Sequence, residues 1–400
     1  MASTLKTRRL QLASWWRKRC GYEPLPPDTH AAKLPVLWLY LVQAAAVFFG
    51  IIALTGILLS LHYEPSARPI YQHGKQVALA IARETVIVGT DTLCTRGEIL
   101  RLPISGKIVE FPPEHLAKLQ VMSTSAGVPL AVSPATASVE HTLMQEIPFG
   151  AVIRGIHILS VHCFVGCLLL SALMLFWKRG YRAPFELVWL LTLGIITVSC
   201  VSAFSGHILA WNLRAYMSAQ IVFSALEYLP FGETAASLLR GGPAIRPELL
   251  PRIHALHVLV LPLGMLILLR SMLHIARRLG VEIRLDAQLF LRGALVMVLL
   301  GIAAAILPIF GTYTGRLPVD ISGVVLADMR VRPEWYFLAG YELLRLVPMD
   351  FAATLLALWG IFWLSLPFVG NTRRKRIIMW LTGGVCIVVA LVLEIFGAVG

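Results

Sequence analysis

Two arginine–histidine pairs lie in apolar stretches of the chain, Arg154 with His157 and Arg252 with His257. Ionisable side chains at membrane depth are costly and mark functional sites by default. Two histidines from different helices could hold a planar macrocycle through axial imidazoles, and the arginines could pair with its carboxylates. The alternative is that each histidine satisfies a hydrogen bond between helices.

Neighbouring residues fit this chemistry less well. His162 follows His157 by five residues, roughly 140° around a helix, so it cannot share that cofactor and is interpreted as a structural residue. His254 is left without a role. Cys163 and Cys167 are interpreted as small buried side chains rather than as a metal pair. The cysteines of the chain form no CxxC motif and no disulfide framework.

Membrane helices must position these residues. Apolar residues make up 57% of the 400-residue chain and charged residues only 14%, whereas a soluble domain carries about 25% charged residues. Mean hydropathy is +0.75. The prediction is an all-α membrane protein with seven transmembrane helices, of which the first four form a cofactor bundle. The predicted spans are 35–62, 149–177, 184–210, 252–276, 289–311, 350–370 and 376–399.

The net charge of +13 could indicate a nucleic-acid partner. However, the basic residues cluster in the N-terminal leader and in the connections between spans 2 and 3, 4 and 5, and 6 and 7. All four segments share one side of the membrane, which is the positive-inside pattern. We therefore predict a multi-pass protein of a bacterial-type inner (plasma) membrane with a cytoplasmic N-terminus and no nucleic-acid partner. The polar leader without a small-residue cleavage site predicts no cleaved signal peptide.

The connection between the first two spans is unusually long for a loop. Strand-like alternation over 98–111, followed by a short helix candidate after Pro112, predicts a small extracytoplasmic β-rich insertion. The predicted division is a cytoplasmic basic leader (1–34), a four-helix domain (35–62 with 135–280), the insertion (63–134) and a three-helix C-terminal domain (281–400).

Four stretches resemble cytochrome b of quinol:cytochrome c oxidoreductases, the family of respiratory complex III and its photosynthetic counterpart. The clearest, Ala327-Asp-Met-Arg-Val-Arg-Pro-Glu-Trp-Tyr-Phe-Leu338, is similar to that family's quinol-site signature. A lone PEWY motif would be weak evidence, but it occurs in register with the other three stretches. These are 54–65, 147–157 and 239–257, and the resemblance covers about 35–65 and 135–372.

The resemblance implies a b-type haem near the outer surface and a quinol pocket. The implied haem residues are the axial ligands His157 and His257, the propionate partners Arg154 and Arg252, and the helix-contact glycines Gly56 and Gly206. The implied quinol-binding residues are Pro333, Glu334, Trp335 and Tyr336. Glu334 would accept a proton from quinol, with Tyr336 as a hydroxyl partner. The alternative is that Glu334 caps the helix that starts after Pro333.

The chain departs from the family at the inner haem. In the family, a second histidine pair lies 14 or 15 residues further along the same two helices, and a second glycine pair lies 14 residues earlier on two others. The corresponding positions here are Ser171, Ser271 or Met272, Val42 and Thr192. We therefore predict a single haem b, with side chains filling the inner site, because cavities are unfavourable in close-packed interiors. Ligation by Met272, Met174 or His274 is the alternative.

The predicted function is that of the haem b subunit in a quinol-oxidising electron-transfer complex, an oxidoreductase, with an interrupted path across the membrane. The resemblance implies a Rieske-type iron–sulfur protein and/or a c-type cytochrome as partners, within a multi-subunit complex, and a homodimer. The alternative is a non-redox structural or assembly subunit, which would have no need for the six haem-site residues. A transporter is disfavoured because no inverted repeat is visible.

Overall fold

A computed structural model describes most of the chain. The described residues are 14, 16–17, 20, 34–68, 70–88, 91–96, 98–105, 108–121, 132–282, 287–306, 333–369 and 372–399. Most of the basic leader and the first part of the quinol-site signature, up to residue 332, lie outside them.

Helices dominate the described structure. They are α1 (Val36–Ser60), α2 (Pro134–Ala137, continued by a π-helical segment Ser138–Glu146), α3 (Gly150–Trp177), α4 (Glu186–Leu209), α5 (Leu213–Glu227), α6 (Gly232–Arg240), α7 (Leu249–Arg278, with a π-helical turn at Leu256–Val260), α8 (Ala287–Ile306), α9 (Trp335–Leu346), α10 (Met349–Ser365) and α11 (Arg373–Val399).

The predicted all-α membrane fold is confirmed. Six of the described helices are long and apolar enough to cross a membrane: α1, α3, α4, α7, α10 and α11. The fifth predicted span corresponds to α8, whose apolar part, Leu291–Ile306, is shorter. The last residues predicted for that span, 307–311, lie outside the described part of the chain.

The start of α3 depends on a glycine. Phe149 adopts a left-handed conformation with φ of 60°, which turns the chain from the preceding π-helical segment into α3. A Cβ atom at Gly150 would lie 2.1 Å from the carbonyl oxygen of Leu143. Only glycine allows this close approach, and the approach fixes where α3 begins relative to the segment before it.

Side chains fill one half of the four-helix bundle, which we call the inner half. It contains Val42, Ser171, Thr192 and Met272, each 1% exposed. Thr192 Oγ1 lies 3.4 Å from Met272 Sδ, so two of these positions contact each other directly. Ser271 instead hydrogen-bonds the carbonyl of the preceding turn and is only partly buried, which identifies Met272 as the inward position on α7.

Larger side chains complete this packing. Trp38 and Trp189 are almost fully buried in the same hydrophobic cluster as Val42 and Met272. The indole nitrogen of Trp189 donates to the carbonyl oxygen of Trp363 on α10 at 3.0 Å. The C-terminal helices therefore pack against the inner half.

The β-rich insertion is present between α1 and α2. Strands β1 (Tyr71–Gln72), β2 (Lys75–Ala82), β5 (Ile99–Ser105), β6 (Ile108–Val109) and β7 (Leu119–Val121) form an antiparallel sheet, and β3 (Val86–Val88) pairs with β4 (Asp91–Cys94). The predicted strand-like stretch became β5 and β6, and the helix candidate became a 3-10 helix at Pro113–Lys118. The sheet has its own small core, centred on alanines and branched residues of β2 and β5.

Candidate cofactor and quinol site

The structure brings His157 of α3 and His257 of α7 to one cavity of about 340 Å³. Gly56 of α1 and Gly206 of α4 line the same cavity. Four helices thus each contribute one of the predicted residues. The cavity lies in the other half of the bundle from the packed inner residues, and we call this the outer half.

A hydroxyl on α1 orients His157. Thr55 donates its hydroxyl hydrogen to the carbonyl oxygen of Ile51 at 2.7 Å, and His157 Nδ1 lies 2.9 Å from the same hydroxyl oxygen. Because the Thr55 hydrogen is already used, His157 Nδ1 must carry the proton and donate it. The neutral imidazole then has its lone pair on Nε2, the state that a metal ligand requires.

A matching arrangement on α4 orients His257. Its Nδ1 lies 3.0 Å from the carbonyl oxygen of Ser202 and 2.9 Å from Ser205 Oγ. A carbonyl can only accept, so His257 Nδ1 is also the donor and Nε2 is again left with a lone pair. The two histidines are therefore both in the tautomer that favours ligation through Nε2.

The two cavity glycines follow these hydroxyl residues directly. A Cβ atom at Gly56 would lie 3.2 Å from His157 Cε1, and one at Gly206 would lie 2.7 Å from His257 Cε1. Each imidazole thus packs on a backbone that has no side chain. A hydroxyl residue directly before each glycine is a signal in the sequence that the motifs quoted above do not include.

The structure separates the two predicted arginines. Arg154 lines the cavity, and it lies near Glu140, a carboxyl that is 3% exposed in the π-helical segment before α3. Burial raises the pKa of Glu140 to about 7, although the positive charge of Arg154 acts in the opposite direction. Arg252 is exposed, and its guanidinium donates to the carbonyl oxygen of Leu238 rather than lining the cavity.

Glu334 and Tyr336 line the same cavity as the histidines. Glu334 stands at the N-cap position of α9, yet its side chain makes no capping hydrogen bond. The capping alternative is therefore met in position but not by a side-chain hydrogen bond. Pro333 precedes it as extended chain, and Trp335, the first residue of α9, is 41% exposed.

His162, interpreted from the sequence as a structural residue, lies beside Glu334. Its Nε2 is 3.7 Å from Glu334 Oε2, and Trp335 Nε1 donates to its Nδ1 at 3.1 Å. Arg214 of α5 approaches the other oxygen of Glu334 at 3.5 Å. His162 lines the same cavity as His157, and the helical angle between the two could not show that His162 approaches Glu334.

The arrangement has two chemical capacities. Two imidazoles with free Nε2 lone pairs, each packed against a glycine, fit a planar metal-containing macrocycle. A half-buried carboxylate between a guanidinium and an imidazole can accept a proton from a hydroxyl compound in the cavity. Both capacities occur at one cavity, which is mostly apolar, as binding sites for hydrophobic molecules are.

Fold and site together define a multi-pass helical membrane protein with a histidine-lined cavity in its helix bundle. Residues 126–280 match the family model described as Cytochrome b/b6/petB. The chain is therefore a relative of cytochrome b, and the family resemblance inferred from its motifs is confirmed.

Individual relatives agree. The cytochrome b subunit of a cytochrome bc complex from Chlorobaculum thiosulfatiphilum is 27% identical over 251 residues, 58% of this chain and 58% of that protein. Cytochrome b6 of Stigeoclonium helveticum is 36% identical over 135 residues, 33% of this chain and 61% of that protein. A solved structure described as a hyperthermophilic respiratory Complex III has a TM-score of 0.60 and 20% identity, and the match covers 90% of this chain and 84% of that one. This likeness shows the shared fold.

Proposed function

We propose that this chain is the haem b subunit of a quinol-oxidising membrane complex and holds a single haem in its outer half. The observation that carries this proposal is the cavity that His157 and His257 both line, with Nδ1 of each imidazole hydrogen-bonded to a neighbouring helix. Gly56 and Gly206 support it, because side chains at these positions would displace the two imidazoles.

The packed inner half supports the proposal of a single haem. Val42, Ser171, Thr192 and Met272 stand where a second haem and its ligands would be needed, and all four are buried among other side chains. Met272 Sδ is already contacted by the Thr192 hydroxyl. Of the other alternative ligands, His274 is exposed and Met174 is only partly buried.

The residues have distinct proposed roles. His157 and His257 would hold the iron through Nε2, and Arg154 is the cavity arginine available to a propionate. When bound, haem b supplies one-electron chemistry. Arg252, as placed, is a weaker candidate for a propionate partner than Arg154, because it is exposed and bonded to a carbonyl group.

Quinol oxidation also needs a proton acceptor, and we assign this role to Glu334. Breaking the quinol O–H bond transfers the proton to the carboxylate, and the Arg214 guanidinium lies beside that carboxylate at 3.5 Å. Tyr336 offers a hydroxyl in the same cavity for binding the quinol. Pro333 and Trp335 would complete the pocket wall.

The proposed setting follows from the relatives and from charge. One relative is named as the cytochrome b subunit of a cytochrome bc complex, which supports membership of a multi-subunit complex. The proposed partners are a Rieske-type protein and/or a c-type cytochrome, and the proposed assembly is a homodimer. The basic connections support a bacterial-type inner membrane with a cytoplasmic N-terminus. In this division, 35–62 with 135–280 hold the haem and 281–400 carries the quinol motif.

The first test is the haem b content per chain, measured by pyridine haemochrome against protein mass in the purified full-length protein. We expect a value near one that is lost in His157→Ala and retained in His274→Ala, the matched exposed control. A value near two would overturn the single site and direct attention to Met272. A value near zero would favour the non-redox structural subunit. Clear inhibition of turnover by an antimycin-type inner-site inhibitor would also contradict the single-haem scheme.

A further inference from the structure

Glu334 is held from two sides by groups on different helices. Arg214 of α5 approaches Oε1 at 3.5 Å, and His162 of α3 approaches Oε2 at 3.7 Å. The three side chains are each about one-fifth to one-quarter exposed, at 19% for Glu334, 21% for Arg214 and 25% for His162. Partial burial strengthens such charge interactions relative to those on an open surface.

The hydrogen bond from Trp335 determines the tautomer of His162. An indole N–H can only donate, so His162 Nδ1 must accept at 3.1 Å and carries no proton. The neutral imidazole then has its hydrogen on Nε2, the nitrogen nearest Glu334. A doubly protonated His162 would have no lone pair for Trp335, so this contact selects the neutral form.

We propose that His162 is a positioning residue for Glu334, with its tautomer set by Trp335. This inference rests on the proposed quinol oxidation. The protonated Nε2 lies 3.7 Å from Glu334 Oε2, where the dipole of an N–H group favours the proton-accepting carboxylate. Trp335 follows Glu334 directly in sequence, so one short segment contacts both nitrogens of the same imidazole.

Other charged or titratable groups share the cavity and must be considered in any pH profile. All of them remain in place when His162 is replaced. They are Arg154 and His157 on α3, His207 on α4, Arg214 on α5, His254 and His257 on α7, and Tyr63 and Tyr336. A change confined to His162 or Trp335 therefore isolates the contribution of the proposed contact.

Two substitutions should act in opposite directions. His162→Leu removes the N–H group beside the carboxylate, so the infrared band of protonated Glu334 should persist to higher pH than in the wild type. His162→Gln keeps an N–H group and should restore part of the difference. Trp335→Phe frees Nδ1 to take a proton, and the added positive charge beside the carboxylate should move the band to lower pH.

Infrared titration of the full-length complex measures this directly. The C=O band of protonated Glu334 is identified by its loss in Glu334→Gln, and its appearance is followed against pH in each variant. Cys163→Ala, the adjacent position on α3, is the matched control and should leave the titration unchanged. Haem content checks that each variant has folded.

Quinol oxidation by the same samples separates the two hypotheses. If the wild-type complex oxidises quinol and the acidic limb of its pH profile moves with the infrared titration, both hold. If it oxidises quinol but neither His162→Leu nor Trp335→Phe moves the Glu334 band, the positioning role is wrong. If the wild-type complex retains haem but oxidises no quinol, the proposed function fails and the role of His162 in it fails with it.

Discussion

Adding one methyl group at Gly206 should displace a haem ligand more than the same change at Gly56. The new Cβ at Gly206 would lie 2.7 Å from His257 Cε1, against 3.2 Å from His157 Cε1 at Gly56. Ordinary van der Waals contact begins at 3.4 Å. The His257 imidazole must therefore move by about 0.7 Å and the His157 imidazole by about 0.2 Å. Overpacking of this kind typically costs about 1–3 kcal/mol, or a 5- to 150-fold loss of affinity.

The chain offers controls on the same two helices. Gly50 on α1 has no atom within 4 Å of a built Cβ, and Gly194 on α4 has only Leu268 Cδ1 at 3.8 Å. Alanine at these positions should preserve haem binding and slightly stabilise the helix, because glycine costs about 1 kcal/mol relative to alanine in a helix interior.

The assay is haem b per chain after purification, together with haem retention during titration with apomyoglobin, a haem-accepting protein. We expect the order wild type, Gly50→Ala and Gly194→Ala first, then Gly56→Ala, with Gly206→Ala lowest. Full haem retention in Gly206→Ala would refute the reasoning. Equal losses in Gly194→Ala and Gly206→Ala would show that helix packing in general, rather than the imidazole contact, is responsible.

Three further predictions concern single groups near the cavity and outside it. Glu140→Gln should raise the melting temperature at pH 8 but not at pH 5. Burial raises the pKa of the Glu140 carboxyl from 4.5 to about 7. The wild-type protein therefore loses stability as the pH rises through this interval, by up to about 3 kcal/mol. An equal effect at both pH values would contradict this cause. Thr55→Val removes the acceptor for His157 Nδ1 and should raise the haem midpoint potential by about 40 mV in a redox titration. An unchanged potential would show that this hydrogen bond does not influence the haem potential. Arg240→Met removes a buried guanidinium that pairs with Glu227 and should lower the melting temperature. The expected loss in free energy of unfolding is about 1–3 kcal/mol, because Glu227 stays half-exposed. A melting temperature equal to that of the wild type would show that the pair contributes nothing.

The sequence was sufficient to predict the membrane spans and the two histidines that line the cavity. Apolar length predicts membrane helices without knowledge of packing, and the spacing of His157 and His257 within their spans placed both at similar depth. The hydrogen-bond partners of these two histidines were harder to predict from the sequence. Thr55 and Ser202 contact histidines that are 102 and 55 residues away in sequence, and their partnership depends on helix rotation.

The neighbours of Glu334 could not be predicted. His162 is 173 residues from Trp335. Arg214 is on α5, a helix that is not a membrane span and that the hydropathy of the chain therefore does not reveal. The prediction for Arg252 relied on distance along one helix. It did not take account of the competing carbonyl group of Leu238, supplied by α6.

The solid packing around Met272 and Trp189 has a consequence for energy conservation. On the proposed function, the quinol proton acceptor and the haem ligands all lie at one cavity in the outer half. Charge that moves among them crosses little of the bilayer, whereas full transfer of one charge against 100 mV stores about 2.3 kcal/mol. Turnover of such a subunit would be largely electroneutral, and its contribution to the proton gradient would be limited to protons released on the side where quinol is oxidised.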